Sequence, residues 1–217
     1  MKIYFAPDTR AVRIVWLFEE LGLPYELEFL KFGDPSMRSP AYLGIHPLGR
    51  VPTLIDDEIT IFESGAIVQY VLAKYGNGRL VPDVHSREFP LYLQWFHFAE
   101  GMIMPPVNTI VVETVLLSPE RRNQVNVDRA TKVLSKMLAA VDAGVRDGKF
   151  LAGNFSAADI MLGQACMAAT KAATKAGADL SGQANLAAYI DRLRNRPAFK
   201  KANATGKPER AGVPGQT

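Results

Sequence analysis

The sequence predicts an α/β unit followed by an all-helical unit. Strand and helix patterns alternate through the first eighty residues, in the order β-α-β and then β-β-α. A stretch rich in glycine and proline, 76–85, follows, and beyond it the strand patterns stop. Because a break of this kind is typical of a domain boundary, we place one domain at residues 1–78 and a second, helical domain at 86–205.

The elements of the first unit follow from short apolar runs separated by turn residues. The first helix is apolar almost all round, which predicts that it is buried on more than one side. Asp8 or Thr9 provides its cap and Gly22 its stop. The predicted elements are a strand at Lys2–Phe5, a helix ending at Leu21, a strand at 25–29, a short helix near 40–43, strands at 53–55 and 59–62 joined by a turn at 56–58, and a helix at 64–75.

The second unit opens on a long helical pattern at 86–117. Pro105 and Pro106 lie inside it, and we expect a kink or an interruption there because proline cannot donate to the helical hydrogen-bond ladder. Ser118 followed by Pro119 combines a capping residue with proline at the first helical position. This pair predicts a new helix that runs to about residue 146.

Three further segments complete the second unit. Ser156 and Asp159 have the spacing of a capping box, with Asp in place of the commoner Glu or Gln, and predict the start of a helix. Two shorter helices are predicted at 186–195 and 198–203. The tail at 206–217 is rich in Gly and Pro and is expected to be disordered.

Composition and charge are those of an ordinary globular protein. The 217-residue chain has 48% hydrophobic and 22% charged residues and a net charge of +3. Its basic excess gathers late, at Arg192, Arg194, Arg196, Lys200, Lys201, Lys207 and Arg210. A single aromatic residue, Phe199, stands among these charges, which is not the repeated interleaving of stacking platforms for bases, so we interpret them as a solvated surface and expect no nucleic-acid partner.

The sequence also limits where the protein works. No N-terminal segment has the pattern of a signal peptide, and no uncharged apolar run reaches the ~18 residues of a membrane span. One cysteine, Cys166, excludes an intrachain disulfide framework and fits a reducing compartment. His46, His85 and His97 are scattered and form no metal set. We therefore expect a cytoplasmic protein with no membrane contact and no metal.

Two short motifs flank the predicted hairpin. Val51-Pro52, between a loop and a strand, is a candidate cis peptide, which would leave the N–H and C=O of Val51 free to pair with a peptide backbone. Glu63 and Ser64 stand at the start of a helix, where free N–H groups and the positive dipole end favour a carboxylate. Together the motifs indicate a site for a small peptide with a free carboxylate and a free amine.

Four sequence motifs carry a family resemblance. They are Glu-Glu-Leu-Gly-Leu-Pro-Tyr-Glu at 19–26, His-Pro-Leu-Gly-Arg-Val-Pro-Thr-Leu at 46–54, Glu-Ser-Gly-Ala-Ile at 63–67 and Gly-Asn-Phe-Ser-Ala-Ala-Asp at 153–159. Because the four motifs occur in this order and at these offsets, the chain resembles the cytosolic glutathione transferase family over about residues 1–203. The resemblance implies a thioredoxin-like N-terminal domain, a homodimer, a role in detoxification, and conjugation of the glutathione thiol to electrophiles.

The resemblance also implies how glutathione is held. The backbone of Val51, beside Pro52, would pair with the glutathione backbone, and a tight turn without a ligand is the alternative. Ser64 would bind a carboxylate, which is compatible with a plain helix cap. Glu63 would accept hydrogen bonds from the α-ammonium group of the ligand, unless it pairs with an arginine instead.

Two arginines are candidates for the glycyl carboxylate of glutathione. Arg50 directly precedes Val51, and Arg38 precedes Ser39-Pro40, where relatives carry a basic residue. Solvated surface charge is the alternative interpretation for both arginines.

The residue that activates the thiol lies between the first strand and the first helix in the family. Asp8, Thr9 and Arg10 occupy that window, which has neither serine nor cysteine. Thr9 would donate its hydroxyl hydrogen to the thiolate, unless it serves only as the helix cap. Arg10 would help electrostatically, Tyr4 is a further candidate, and backbone N–H groups at the helix start are the last alternative. The missing serine pair argues against maleylacetoacetate isomerisation, and the missing cysteine against glutaredoxin-like disulfide reduction.

The acceptor site is expected across the cleft between the two domains. Phe98, Met102 and the nearby Met104 end an apolar stripe along the long helix, and we propose them as its wall because methionine adapts to varied apolar ligands. Core packing is the alternative interpretation of such a stripe. Cys166, in an alanine-rich helix, is interpreted as a small buried residue and not as a nucleophile.

The predicted function is conjugation of the glutathione thiolate to small apolar electrophiles. Glutathione serves as co-substrate, and no metal or redox group is required. One alternative is a glutathione-transferase-like binding or scaffold protein with little turnover, which the missing serine and cysteine motivate. Another is a glutathione-dependent dehalogenase or peroxidase, which would use the same thiolate.

Overall fold

The computed structural model describes residues 1–206, apart from the side chain of residue 147. The N-terminal part contains a four-stranded sheet with the strand order β2-β1-β3-β4 and three helices. Its elements are β1 (Lys2–Phe5), α1 (Ala11–Leu21), β2 (Glu26–Phe29), α2 (Pro40–Leu43), β3 (Thr53–Asp56), β4 (Ile59–Phe62) and α3 (Ser64–Tyr75). The predicted β-α-β and β-β-α order is confirmed, with β2 beginning one residue later than expected.

The register of the sheet brings three chain segments to one end. β1 is parallel to β2 and antiparallel to β3, with Tyr4 opposite Thr53. β3 is antiparallel to β4, with Thr53 opposite Phe62. The chain that leaves β1, the chain that enters β3 and the chain that leaves β4 therefore meet at the same edge.

Helix α1 is the most buried helix of the N-terminal part. Every residue from Ala11 to Phe18 is buried, because the helix lies under the sheet and also contacts α3, α7 and α9. Gly22 ends it in the left-handed conformation, with φ of 64°. The all-round apolar pattern therefore predicted the burial correctly, but Arg13 is buried with its apolar neighbours.

The C-terminal part is helical throughout its regular structure, as predicted. Its helices are α4 (Glu88–Phe98), α5 (Met104–Val111), α6 (Gln124–Gly144), α7 (Ala157–Lys175), α8 (Ala184–Arg194) and α9 (Pro197–Ala204). The predicted interruption of the long helix lies one turn before the prolines, in a π-helical turn at Ala99–Ile103. Pro105 has no N–H, and its ring would clash with the carbonyl of Gly101, so the backbone widens ahead of it.

The predicted restart at Ser118 is wrong in its position. Pro119–Arg121 forms one 3₁₀ turn, and α6 begins only at Gln124. Asn123 caps α6 by accepting a hydrogen bond from Val125 N at 3.0 Å. The buried Glu113 accepts a hydrogen bond from Asn123 N at 2.8 Å, and this long-range contact helps to fix where the helix starts.

The segment between the two parts carries no helix or strand. It extends from the end of α3 at Tyr75 to the start of α4 at Glu88. The domain limits 1–78 and 86–205 stay a proposal, and the predicted disorder of the tail falls on residues 207–217, outside the described part. Among residues 1–206, no helix combines the length and apolarity needed to cross a bilayer. The same residues contain no group of three or more His, Cys, Asp or Glu side chains placed to hold a metal ion.

Candidate active site

The candidate site lies at the sheet edge where the three segments meet. One register step beyond Thr53 and Phe62, the pairing of β3 with β4 brings Pro52 level with Glu63. The pairing of β1 with β3 brings the turn after Phe5 to the same edge. The two motifs singled out in the sequence and the start of α1 therefore converge, although nearly sixty residues separate the first from the last.

The segment that enters β3 presents free backbone groups. The Val51-Pro52 peptide is cis, as the sequence suggested. Within residues 1–206, the N–H and C=O of the half-buried Val51 have no hydrogen-bond partner. The preceding turn is anchored, because Tyr42 donates its hydroxyl hydrogen to Arg50 O at 2.6 Å. A ligand with an extended backbone finds both an N–H donor and a C=O acceptor here.

Glu63 stands at this edge in a strained conformation. Its φ is 73° and its ψ is 112°, a region that costs a non-glycine residue about 1–3 kcal/mol and is enriched at ligand sites. Its side chain is exposed and forms no ion pair with any described residue. The pairing with an arginine that the sequence left open is therefore not found in the described part.

Ser64, the first residue of α3, is buried and held by an arginine. Its Oγ accepts a hydrogen bond from Arg13 Nη1 at 3.1 Å. Arg13 is fully buried, donates from Nε to Gln164 Oε1 at 2.9 Å, and forms an ion pair with Glu100. Burial lowers the pKa of the Arg13 guanidinium, and the charge of Glu100 opposes that shift.

Sequence reasoning missed both Arg13 and Glu100. A signal for Arg13 was present, because a lone arginine interrupts an otherwise apolar run in α1. Nothing local marked its partners, since Glu100 and Gln164 lie 87 and 151 residues further along the chain.

The Thr9 hydroxyl forms hydrogen bonds with the backbone just before and at the start of α1. Thr9 Oγ1 donates to Ala6 O at 2.7 Å and accepts from Ala11 N at 3.2 Å, so it braces the turn before α1. The predicted cap at Asp8 or Thr9 is wrong in its position, because Arg10 occupies the N-cap and makes no side-chain capping bond. The hydroxyl hydrogen must leave Ala6 O before it can reach a ligand. By contrast, the backbone N–H groups of Thr9 and Arg10 have no acceptor among the described residues.

Arg10 is tied to the helical part. Its Nε lies 2.9 Å from Glu100 Oε2 in an ion pair, but the Nε–H does not point at a hydrogen-bond acceptor. Its Nη2 donates to Asn108 Oδ1 at 3.4 Å. Glu100 therefore forms ion pairs with both Arg10 and Arg13. Tyr4, the remaining candidate of this region, packs its ring on Tyr42 with the ring centroids 5.3 Å apart.

The other predicted site residues differ in exposure. Arg38 and Arg50 are exposed and form no ion pair with any residue that the structure describes. Met102 is 44% exposed, and Phe98 is half-buried against Trp95. Met104 is only 7% exposed and belongs to the core, so it cannot line the predicted acceptor wall. Of the three predicted residues, only Phe98 and Met102 have side-chain surface available to a ligand.

Comparison with known proteins identifies the family. The model of the glutathione S-transferase N-terminal domain matches residues 1–73. "Glutathione S-transferase 4" of Zea mays is 33% identical over 225 residues, which cover 99% of this chain and 96% of the relative. The chain belongs to the glutathione S-transferase family. The resemblance carried by the four sequence motifs is thereby confirmed, as is the thioredoxin-like N-terminal fold.

Other members of this transferase family show its breadth. "Disulfide-bond oxidoreductase YfcG" of Escherichia coli is 30% identical over 214 residues, which cover 92% of this chain and 93% of the relative. The crystal structure of the glutathione transferase URE2P6 from Phanerochaete chrysosporium, in complex with oxidized glutathione, has a TM-score of 0.79 and 26% identity, with 93% of each chain covered. The overall fold is therefore shared by proteins whose names state different activities.

Gly49 of this transferase-family chain sets the path into the Val51 segment. Its φ is 56°, and a Cβ added there would lie 2.1 Å from Met37 O. We expect Gly49→Ala to displace the segment, lower the melting temperature by several degrees, and weaken any ligand that pairs with Val51. Gly33→Ala is the matched control, because Gly33 has φ of 80° but open space around it. Equal effects of the two changes would mean that only the backbone angle matters.

Proposed function

We propose that this protein binds glutathione at the sheet edge and transfers its thiolate to small apolar electrophiles. The observation that carries the proposal is the convergence of Val51, Glu63 and Ser64, each with a free group of the kind that glutathione requires. Family membership supports it, and so does the relative solved with oxidized glutathione. Turnover, and not only binding, is part of the proposal.

The groups of the site match the groups of the ligand one by one. The Val51 backbone pairs with the peptide backbone of glutathione, and Glu63 accepts hydrogen bonds from the α-ammonium group. Ser64 and the N-terminus of α3 bind the γ-glutamyl carboxylate. Arg38 and Arg50, both exposed, supply positive charge for the glycyl carboxylate at the other end of the ligand.

The start of α1 stabilises the thiolate in this proposal. Lowering a thiol pKa by two units requires about 2.7 kcal/mol, which a charge-assisted hydrogen bond and a helix N-terminus together supply. The N–H groups of Thr9 and Arg10, which have no acceptor within residues 1–206, are the donors that need no rearrangement. The Thr9 hydroxyl contributes only after it leaves Ala6 O, and the Arg10 guanidinium contributes a field that Glu100 partly cancels.

The reaction needs little beyond positioning. The sulfur lone pair attacks the electrophilic carbon, a carbon–sulfur bond forms, and the leaving group departs with its electron pair. The proton lost from the thiol passes to water before the attack. Phe98 and Met102 provide an apolar surface for the acceptor, and holding the two reactants together supplies most of the acceleration.

Disulfide reduction by bound glutathione is the second candidate, and the Escherichia coli relative named as a disulfide-bond oxidoreductase favours it. The thiolate of one glutathione would attack a substrate disulfide and release a thiolate, and a second glutathione would resolve the mixed disulfide. The window from Asp8 to Arg10 has no cysteine, so both electrons would come from glutathione, which is oxidised.

Binding and turnover are tested in sequence. Retention on immobilised glutathione and release by free glutathione are expected first, followed by conjugation of an activated aryl halide. Binding without conjugation of the aryl halide would favour the scaffold alternative, and glutathione oxidation with a model disulfide would favour the second candidate. Activity with haloalkanes or organic peroxides would point to dehalogenation or peroxide reduction. Absence of both retention and turnover would overturn the proposal.

We expect Thr9→Val to separate the structural role of the Thr9 hydroxyl from catalysis. Loss of the hydroxyl removes the contacts to Ala6 O and Ala11 N, so the free energy of unfolding should fall by about 1 kcal/mol. Because the backbone N–H groups remain, the ultraviolet absorbance of the bound thiolate should titrate within about half a pH unit of the unchanged protein. Thr9→Ser is the control that keeps the hydroxyl and its two contacts. An upward shift of one unit or more in Thr9→Val alone would make the hydroxyl the principal donor.

We also propose that the protein is a cytoplasmic homodimer with a role in detoxification. Symmetric pairing is the commonest assembly of soluble proteins, and the family resemblance favours it here. Light scattering should give twice the subunit mass of 23.8 kDa. A single subunit mass at micromolar concentration would contradict the dimer.

A further inference from the structure

Arg13 is the one arginine or lysine among residues 1–206 that is buried, and it has no contact with solvent. Its three partners come from three different elements: Ser64 from α3, Glu100 from the π-helical turn, and Gln164 from α7. Burying a guanidinium is expensive, and replacing a whole buried ion pair with apolar side chains of similar volume is often neutral for stability, whereas removing one partner alone is destabilising. Stability alone therefore does not account for a buried arginine at this position.

The hydrogen bond from Arg13 determines which way the Ser64 hydroxyl can act. Arg13 Nη1 donates to Ser64 Oγ at 3.1 Å, so one lone pair of that oxygen is occupied. The hydroxyl hydrogen must then point away from Arg13. No residue that the structure describes accepts this hydrogen. Ser64 is thereby left as a donor at the N-terminus of α3.

We propose that Arg13 is a positioning residue that presents the Ser64 hydroxyl as a donor to the γ-glutamyl carboxylate of glutathione. This inference rests on the proposed function. A hydroxyl that already accepts from a cation is polarised and donates more strongly to an anion. Arg13 thus acts through Ser64 and does not itself need to touch the ligand.

Glu100 and Gln164 fix the orientation of Arg13. Gln164 accepts from Nε at 2.9 Å and Glu100 pairs with Nη1, so the planar guanidinium is held from two sides. Both residues belong to the helical part, whereas Ser64 belongs to the α/β part. Packing of the helical part therefore sets the direction of a hydrogen bond in the glutathione site.

The test is a double-mutant cycle of Arg13→Met and Ser64→Ala, read as the Kd for two ligands. One ligand is glutathione, and the other is its analogue that lacks the γ-glutamyl α-carboxylate. Arg13→Met should raise the Kd for glutathione about tenfold and leave the Kd for the analogue within about twofold. In the Ser64→Ala background, the same change should alter the Kd for glutathione less than about twofold.

A second variant and a control keep the test decisive if Arg13→Met does not fold. Glu100→Gln, at a half-buried position, should show the same selectivity for glutathione over the analogue with a smaller increase of about threefold. Arg196→Met is the matched control, because Arg196 pairs with Glu20 at 2.6 Å and also joins α1 to the helical part, away from Ser64. It should affect both ligands alike.

Three outcomes would overturn the inference. Equal losses for both ligands in Arg13→Met and Glu100→Gln would make the network merely structural. An undiminished loss in the Ser64→Ala background would mean that Arg13 acts by its charge and not through the hydroxyl. If the unchanged protein binds neither ligand, the proposed function fails and the inference fails with it, whereas binding without the expected selectivity defeats the inference alone.

Discussion

Replacing Asp159 with alanine is expected to lower the free energy of unfolding by more than about 3 kcal/mol. Asp159 is fully buried. Its Oδ2 accepts from Ser156 N at 2.9 Å and from Ser156 Oγ at 3.1 Å. Its Oδ1 accepts from Leu151 N at 3.1 Å and from Tyr189 OH at 2.9 Å. Alanine would leave four buried donors without an acceptor, and each such donor costs about 1–3 kcal/mol.

Chemical denaturation checks this expectation, with the transition midpoint as the readout. Asp191→Ala is the control, because the Asp191 side chain is 71% exposed and lies 3.9 Å from Arg194, and it should change stability by less than about 0.5 kcal/mol. The midpoint of Asp159→Asn should lie between those of the other two variants, since the asparagine amide keeps one acceptor oxygen. A midpoint for Asp159→Ala close to that of Asp191→Ala would show that the donors find other acceptors.

The same change should also affect the proposed glutathione site, through α7. Asp159 lies in the first turn of α7, and the next turn carries Gln164, which holds Arg13. A frayed α7 would release Arg13 and with it the orientation of Ser64. Folded Asp159→Ala protein, measured well below its midpoint, is therefore expected to bind glutathione more weakly than the unchanged protein.

The features that the sequence predicted well depend on neighbours in the chain. Ser156 and Asp159 are three residues apart, and the capping box that they form needs only that spacing. The start of α3 at Ser64 and the end of α1 at Gly22 follow from equally local signals. The motifs at 46–54 and 63–67, to which we propose that glutathione binds, were recognised for the same reason, since each is a short run at a strand or helix end.

The features that the sequence did not predict depend on distant contacts. The first turn of α6 is set by Glu113, which precedes Asn123 by ten residues, and not by the Ser118-Pro119 signal. Likewise, Arg10 in the N-terminal part forms an ion pair with Glu100 in the helical part. Local sequence preferences do not register such pairings, so the sequence of the window 8–10 alone could not decide which of its residues is free to act on a bound thiol.

Replacing Glu63 with glutamine is expected to raise the Kd for glutathione about ten- to a hundredfold. Losing one charged partner from a partly desolvated site costs roughly 1.5–3 kcal/mol, and in the proposed site the partner of Glu63 is the α-ammonium group of the ligand. Glutamine has nearly the same size and meets the same penalty at φ of 73°, so the change removes charge and leaves the backbone strain in place. Isothermal titration calorimetry at fixed ionic strength gives the Kd.

Two control variants and one ligand analogue separate the charge of Glu63 from its place in the fold. Glu58→Gln, in the exposed turn of the same hairpin, removes an equal charge away from the sheet edge and should change the Kd less than about twofold. Glu63→Gly relieves the strained φ, so it should raise stability by up to about 1 kcal/mol while losing affinity as Glu63→Gln does. With glutathione that lacks its α-amine, the loss caused by Glu63→Gln should shrink to about twofold or less. Equal losses for glutathione and for that analogue would mean that Glu63 orders the site without binding the amine.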